Sequence, residues 1–564
     1  MKKVLALILA WAVLLALASC GTAGTNRETT RTGADTSSET QAVSETETTV
    51  VEEAVTDADI SAQESTDAFS ISSEDGVFSR TDSLITIESA GTYTLSGLLE
   101  GQILVEAGEE DDVVIELNGV TLICGTDSPI KALSASSLDI SAKKGTENVI
   151  RDTRTVKKTD DETQGEGAIY AKCDLKIKGS GTLVVEAAYN NGIHTTKDLT
   201  VQNLSLKVTA CNNALKGNDS VTVKSGSVVA ISTQGDGIKT QNTDANKTGE
   251  TRGDIAILGG SVTVYAAGDG IQAAHDFEMT TGEDAQAAPT LTVYTGSYSG
   301  YTASGASTTS YKGIKVQNEL NVRSGSVVLK TYDDGLHADY GTSFTDGTKG
   351  AGTIHILGGT TSISVYSPAN KTAGGRQGPG GWGGQQQVSG ADAIHADSVL
   401  NISGGTITID SSYEGLEANT INISGGVTYV AGNDDGVNAC SGIATPSVNV
   451  TGGYLDVTVS PSGDTDGIDS NGSYTQTGGI VITRGPSSEM AAAIDADRTV
   501  SVSGGTLVVL GYGRVSTSGS VKSSSLNLHS SGSHTVNIGG TTYTFTNAYS
   551  YGRTYVYSDT TVSA

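Results

Sequence analysis

DDGLHAD (333–339), ADAIHAD (391–397), YEGLEAN (413–419), DDGVNAC (434–440) and TDGIDSN (465–471) are variants of one seven-residue pattern. An acid precedes Gly or Ala, an aliphatic residue follows, and a small residue stands two places later. The aliphatic centres recur along the chain as Ile169, Ile193, Leu215, Ile238, Ile271, Ile314, Leu336, Ile394, Leu416, Val437, Ile468 and Ile494. Six of the eleven gaps between them are 21 to 24 residues, and the longer ones contain inserts. Between the centres run stretches such as VTVKSGSVVAIS (221–232), LNISGGTITIDS (400–411) and VNVTGGYLDVTV (448–459). Each alternates apolar and polar residues, breaks at glycine and alternates again, as two short strands around a tight turn do.

A unit of about 22 residues with three short strands cannot bury its apolar face alone, so the units must stack. The period predicts an all-β fold, a right-handed single-stranded parallel β-helix, over residues 71–564. Hairpins would need antiparallel neighbours without a constant period, and the Asn-centred consensus of a leucine-rich repeat is absent. Residues 75–160 read as the first coils. The Tyr-rich run 535–558 breaks the period and is expected to cap the open edge. Inserts are expected at about 241–253, 274–311, 340–352 and 367–390.

The first twenty residues have a different character. Lys2 and Lys3 precede an apolar run, Val4 to Leu17, of signal-peptide length, and LASCG (17–21) resembles the bacterial lipobox. The resemblance implies cleavage before Cys20 and a lipid on its sulfur, so the chain is expected outside the cytoplasm, held on the bacterial surface. Residues 21–70 are rich in Thr, Ser and Glu and read as a disordered stalk. The net charge of −29 excludes nucleic acid and anionic membrane as natural partners and favours cations. The lipid is then the one expected membrane contact, and nothing in the pattern calls for more than a monomer.

Stacking the seven-residue pattern coil on coil aligns its acids. Asp333, Asp334, Asp339, Asp392, Asp397, Glu414, Glu417, Asp434, Asp435, Asp466, Asp469, Asp495 and Asp497 form a ladder. Successive rungs lie about 5 Å apart and repel one another. A hard cation with six to eight oxygen ligands removes that cost, which predicts a row of Ca²⁺ sites. Asp-Gly is also ordinary turn chemistry, so a corner acid by itself does not imply a metal. His337 and His395 recur in the ladder, but on separate coils with an insert between, which argues against zinc.

The GTYTLSG, GQILVEAG and DVVIELNGVTL opening, the DGI-type corners, the GG turns and the Tyr-rich ending together resemble a known family. It is that of carbohydrate-binding β-helix surface proteins structurally related to pectate lyases, and the resemblance covers about residues 70–560. It implies binding of plant cell-wall polysaccharide, cellulose or polygalacturonate, with bound Ca²⁺ and without catalysis. Trp382, Tyr298 and Tyr301, in two of the inserts, are candidates for stacking on sugar rings. The competing reading is a calcium-dependent pectate lyase with Lys239 or Lys315 as base. The lyase signatures W-x-D-H and R-x-P-x-x-R are absent from the chain. A surface adhesin without sugar specificity is the third reading.

Overall fold

The structure is a computed structural model that describes residues 60–155, 164–300, 310–365, 390–440, 442–488 and 491–564, without the side chains of Ser297 and Tyr298. The signal segment with Cys20, the stalk up to residue 59, Tyr301 and Trp382 lie outside the described residues. Residues 60–70, read as the end of the stalk, already touch the solenoid: Arg151 pairs with Glu64 at 2.7 Å, and Leu98 N–H donates to Asp67 O.

The described chain is all β apart from one 3₁₀ turn, Gly296–Ser299. Each coil contributes three strands, and each strand pairs in parallel with its counterpart one coil on. Leu215–Gly217, Ser220–Val223 and Ser227–Ser232 lie on Ile238–Lys239, Asp254–Ile257 and Ser261–Ala266 in this way. The chain is therefore a parallel β-helix, as the period predicts. The ladder of aliphatic centres extends three coils further upstream than the seven-residue pattern shows, from Ile169 back through Ile130 and Ile103 to Ile85. The upstream coils have Leu84, Gln102 and Pro129 where the later corners have Gly or Ala, so their centres were hidden. Ile494 is buried and Ile468 N–H donates to Ala493 O, but the segment around Ile494 is not a strand.

Strand alternation sends the centres inward, where they form one continuous core of Val, Ile and Leu. Burial of each such side chain contributes about 1.5–3 kcal/mol. The tight turns need the left-handed conformation, and glycine supplies it at Gly405 (φ 77°), Gly426 (φ 77°) and Gly453 (φ 78°). Asn203 takes the same conformation at φ 70°, a role asparagine tolerates.

The corner glycine has another cause. Its φ is not positive at Gly237, Gly270, Gly415, Gly436 or Gly467. A Cβ on Gly436 would stand 2.1 Å from Val457 Cγ1 and 2.7 Å from the carbonyl oxygen of Gly467, one coil on. The D-G-I corner is a close approach of backbones rather than a turn that demands glycine. Ala393 holds the same place in its coil. Gly436→Ala is expected to destabilise by about 1–3 kcal/mol through overpacking, measured by chemical denaturation, whereas Gly442→Ala, with open space around it, should be neutral.

Both ends close with antiparallel strands. Ser70–Ser73 pairs with Gly91–Glu100, and Phe78–Arg80 with Leu84–Ile87. At the other end Thr554–Ser558 runs antiparallel along the last long strand, Thr506–Leu510. The strands Gly532–Ile538, Thr541–Asn547 and Val562–Ser563 form a separate antiparallel sheet. Its Val536, Ile538 and Phe545 pack with Ile482, Val508 and Leu510, which lie outside the main core cluster. The expected Tyr-rich cap thus covers an outer face of the solenoid as well as its terminal edge. Insert 340–352 forms the hairpin Tyr340–Ser343 and Lys349–Ala351, and Thr251 Oγ1 ties insert 241–253 to it by donating to Asp346 at 2.8 Å.

Candidate functional site

The first strand of each coil carries one outward residue, immediately after its aliphatic centre. From the coil of Leu215 onward these residues form, in parallel register, a single file, which follows Lys131, Tyr170 and His194: Lys216, Lys239, Gln272, Lys315, His337, His395, Glu417, Asn438 and Asp469. One face of the protein therefore grades from cationic through imidazole to anionic. Lys239 and Lys315 lie in this file where the sequence placed them. Lys216 extends it upstream and was missed, although it follows Leu215 just as Lys239 follows Ile238.

The corner acids are more than rungs of the expected ladder. Asp236, Asp269, Asp334 and Asp392 are buried. One carboxylate oxygen of each accepts a backbone N–H from the next coil. Asp269 N–H donates to Asp236 Oδ1 at 2.9 Å, Lys312 N–H to Asp269 Oδ1 at 2.8 Å and Asp392 N–H to Asp334 Oδ1 at 2.8 Å. Glu414 N–H donates to Asp392 Oδ1 at 3.0 Å, and Asp466 N–H to Asp435 Oδ1 at 2.7 Å. Asn191 and Asn213 serve upstream with their amide oxygens. The corner acid is first a clamp between coils, because an amide in the buried corner must find an acceptor.

The second oxygen of these clamps faces the file. Lys239 Nζ donates to Asp236 Oδ2 at 2.8 Å, and Lys312 Nζ to Asp334 Oδ2 at 2.5 Å and Asp333 Oδ2 at 3.2 Å. Lys315 Nζ lies 3.2 Å from Asp339 Oδ2. His337 and His395 are not separated by the insert: they face each other in register on adjacent coils, rings stacked at 4.8 Å and 14°. His337 meets Asp334 through Nδ1 and Asp339 through Nε2, each at 2.8 Å. His395 Nδ1 lies 2.8 Å from Glu417 and 3.2 Å from Asp392, and its Nε2 3.1 Å from Asp397. Burial would lower the His395 pKa, but bonds to Asp392, Asp397 and Glu417 hold it well above the ordinary imidazole range. The same contacts overcome burial at two carboxylates, so Asp339 and Glu417 fall to about 2, Asp339 through His337 and Lys315, and Glu417 through His395, whereas burial and the charge of Asp334 keep Asp392 well above its ordinary value.

Beyond the histidines the file continues as Glu417, Asn438 and Asp469, with acids on either side of it. Burial, then the charges of Glu414, Asp466 and Asp434, push Asp435 up to about 9. Burial, then Asp469, Asp495 and Asp464, take Asp466 to about 7. Asp469 reaches about 6 through burial and its neighbours Asp495 and Asp497. Asp434 accepts from Tyr413 Oη, while Asp495 and Asp497 are exposed. Asn438 donates to Glu414 Oε2 at 3.0 Å, but its buried Oδ1 has no hydrogen-bond partner. An orphaned amide oxygen among carboxylates is a donor set suited to a hard cation.

Among the described residues, three groups bring metal-ligating atoms within 4.8 Å of one another: Asp334, His337 and His395; Asp392, His395 and Glu417; and Asp254, His275 and Asp276. Each includes a histidine. The all-oxygen stretch 435–497 does not converge that tightly. Of the aromatic residues that the sequence singled out, none has a described side chain. Tyr340 is an exposed aromatic beside the file, on the insert hairpin, and its N–H donates to Asp397 Oδ2 at 2.8 Å. Its sequence context, an insert without pattern, held no signal for that position.

Residues 81–354 match a family described as carbohydrate-binding domain-containing protein. A protein of that description from Acetivibrio thermocellus is 37% identical over 128 residues, which are 22% of this chain and 45% of the relative. The chain thus spans less than half the length of that relative. A solved structure of a polysaccharide lyase-like protein from C. thermocellum, a gadolinium derivative, is 31% identical. That match covers 43% of this chain and 89% of the other, with a TM-score of 0.36.

Proposed function

We propose that this chain, which over residues 81–354 matches the carbohydrate-binding domain family, is a lipid-anchored surface protein that holds plant cell-wall polysaccharide without cleaving it. The polysaccharide is cellulose, acidic pectin such as polygalacturonate, or both. The observation that carries the reading is the file of polar side chains on one face, which offers hydrogen bonds and charge at each coil along an extended ligand. Tyr340 beside it gives a sugar ring a surface to stack on.

Calcium belongs to the acidic end of the file in this reading. Glu414, Glu417, Asp435, Asp466 and Asp469 would hold it with Asn438 Oδ1. Bound there, Ca²⁺ would supply the positive charge that the stretch lacks and could bridge to a uronate. The residues themselves fix the coils and orient the oxygens. Binding is favoured over lyase chemistry because Lys239 and Lys315 point their ammonium groups at Asp236 and Asp339. A group donating into a carboxylate is not a base offered to a substrate α-proton.

The test is a pull-down of the protein with polygalacturonate and with cellulose, each with Ca²⁺ and with chelator. The same tubes are read for the ultraviolet absorbance of an unsaturated uronide. Retention on either polymer without absorbance is the expected result. Absorbance that rises with Ca²⁺ and stops with chelator would make the protein a lyase. Retention on neither polymer would leave a surface adhesin.

A further inference from the structure

The upstream half of the file faces a cleft of about 540 Å³. Its walls carry Lys216, Lys239 and Lys315, with Gln272, Asn212 and Ser310 between and beside them. Lys216 and Lys239 are adjacent rungs, Gln272 is the next and Lys315 the one after, so three ammonium groups stand in line along the solenoid axis. Rungs are spaced by the separation of neighbouring strands, about 4.8 Å. In a chain of net charge −29 such a run is unexpected, and the corner clamps explain how it survives. Asp236 Oδ1 and Asp269 Oδ1 are taken up by backbone amides of the next coil. Lys239 gives one of its three protons to Asp236 Oδ2 and keeps donors for a ligand.

From this arrangement we infer that the cleft is a docking lane for the carboxylates of an acidic polysaccharide, a uronate chain, held directly by lysine without a bridging metal. The inference rests on the carbohydrate-binding reading and assigns a ligand class to one half of the file. Carboxylates along the sugar chain meet the ammonium groups of Lys216 and Lys239 on adjacent coils and of Lys315 two coils on, and the uncharged Gln272 between them offers hydrogen bonds to hydroxyls. Charge-assisted bonds of this kind are stronger than neutral ones and weaken with salt. The acidic end of the file, by contrast, needs a cation before it can meet the same ligand. One polymer can therefore be held at two places by different means, and only one of the two responds to chelator.

Three forms of the full chain test this: the unaltered protein, Lys239→Gln with Lys315→Gln, and Gln272→Lys. Each is titrated with oligogalacturonate in chelator at low and at high salt, and each is checked for retention on cellulose. The unaltered protein is expected to bind oligogalacturonate in chelator and to lose affinity as salt rises. The double variant should bind about tenfold more weakly or worse. Gln272→Lys, which fills the gap in the run, should bind several-fold more tightly. This gain guards against a double variant that merely misfolds. Oligogalacturonate binding that chelator abolishes in the unaltered protein, or that neither substitution changes, overturns the lane. If cellulose is still retained, the carbohydrate-binding reading stands without it. Failure on both polymers would end that reading and the lane together.

Discussion

Arg484→Ala is expected to detach the C-terminal cap while leaving the upstream coils folded. Arg484 is fully buried. Its Nη1 reaches Asp456, the carbonyl of Val457 at 3.0 Å and Thr458 Oγ1 at 3.2 Å, all in the strand one coil before its own. Its Nε donates to Asn547 Oδ1 at 2.7 Å, and its guanidinium lies 5.0 Å from the ring centroid of Phe545. Asn547 in turn donates to the carbonyls of Leu528 and Ser530. One side chain thus joins two coils to the cap sheet. Removing it strands Asp456 in a buried site, and loss of one partner from such a pair costs about 3–5 kcal/mol. In a solenoid each unit touches only its neighbours, so the damage stays local. Hydrogen exchange followed by mass spectrometry should show lost protection at Gly532–Ile538 and Thr541–Asn547 with coils upstream of residue 450 unchanged. Lysine at the position should fail to rescue, since a single ammonium cannot serve the fork of contacts. Uniform loss of protection along the chain would mean that the cap is integral to global folding.

The solenoid was legible in the sequence because its period is enforced at every coil. Where both the corner acid and the corner glycine are present, as at 434–440, the unit could be numbered residue by residue. Where they are absent, as at Ile85, Ile103 and Ile130, only the generic strand pattern remained. The site was legible in part. Register between coils follows from the period, so the alignment of Lys239, Lys315 and His337 was available in principle. What distorted it was counting distance along the chain. His337 and His395 stand 58 positions apart with an insert between them, and the two rings nonetheless stack. The corner acids misled in another way. They count as rungs of the same ladder when the pattern is stacked, yet the residue before the corner glycine precedes the strand and turns into the coil interface. There a backbone amide competes with any metal for one of its oxygens. Alternation holds within strands such as Val437–Ala439 and Ile468–Ser470, and it does not extend to the corner that precedes them.

The acidic end of the file should make stability fall as pH rises unless calcium is present. Asp435, Asp466 and Asp469 have pKa values of about 9, 7 and 6 in the fold, all above the ordinary 3.8 that they regain on unfolding. The folded state therefore binds more protons than the unfolded state between these limits. Stability from these groups is complete below about pH 4 and is lost progressively as pH climbs through 6, 7 and 9. Asp339 and Glu417, held near 2, act oppositely: their contribution is present above about pH 4.5 and lost as pH falls through 2. Together they place the optimum of the metal-free protein in mild acid. Thermal melts in chelator should show the midpoint dropping by a few degrees between pH 5 and pH 9. A cation on the same carboxylates replaces the protons. At a hundred times its Kd it contributes about 2.7 kcal/mol, so Ca²⁺ should flatten the profile. Asp435→Asn separates the two effects. It removes a strongly raised acid, so in chelator the protein should be more stable than the unaltered chain at pH 8 and less responsive to Ca²⁺. If Ca²⁺ leaves the alkaline melts unmoved, the carboxylates of 414–469 carry no metal. Their mutual repulsion is then relieved by protons alone, and the lysine lane is the charged surface left to hold an acidic polymer.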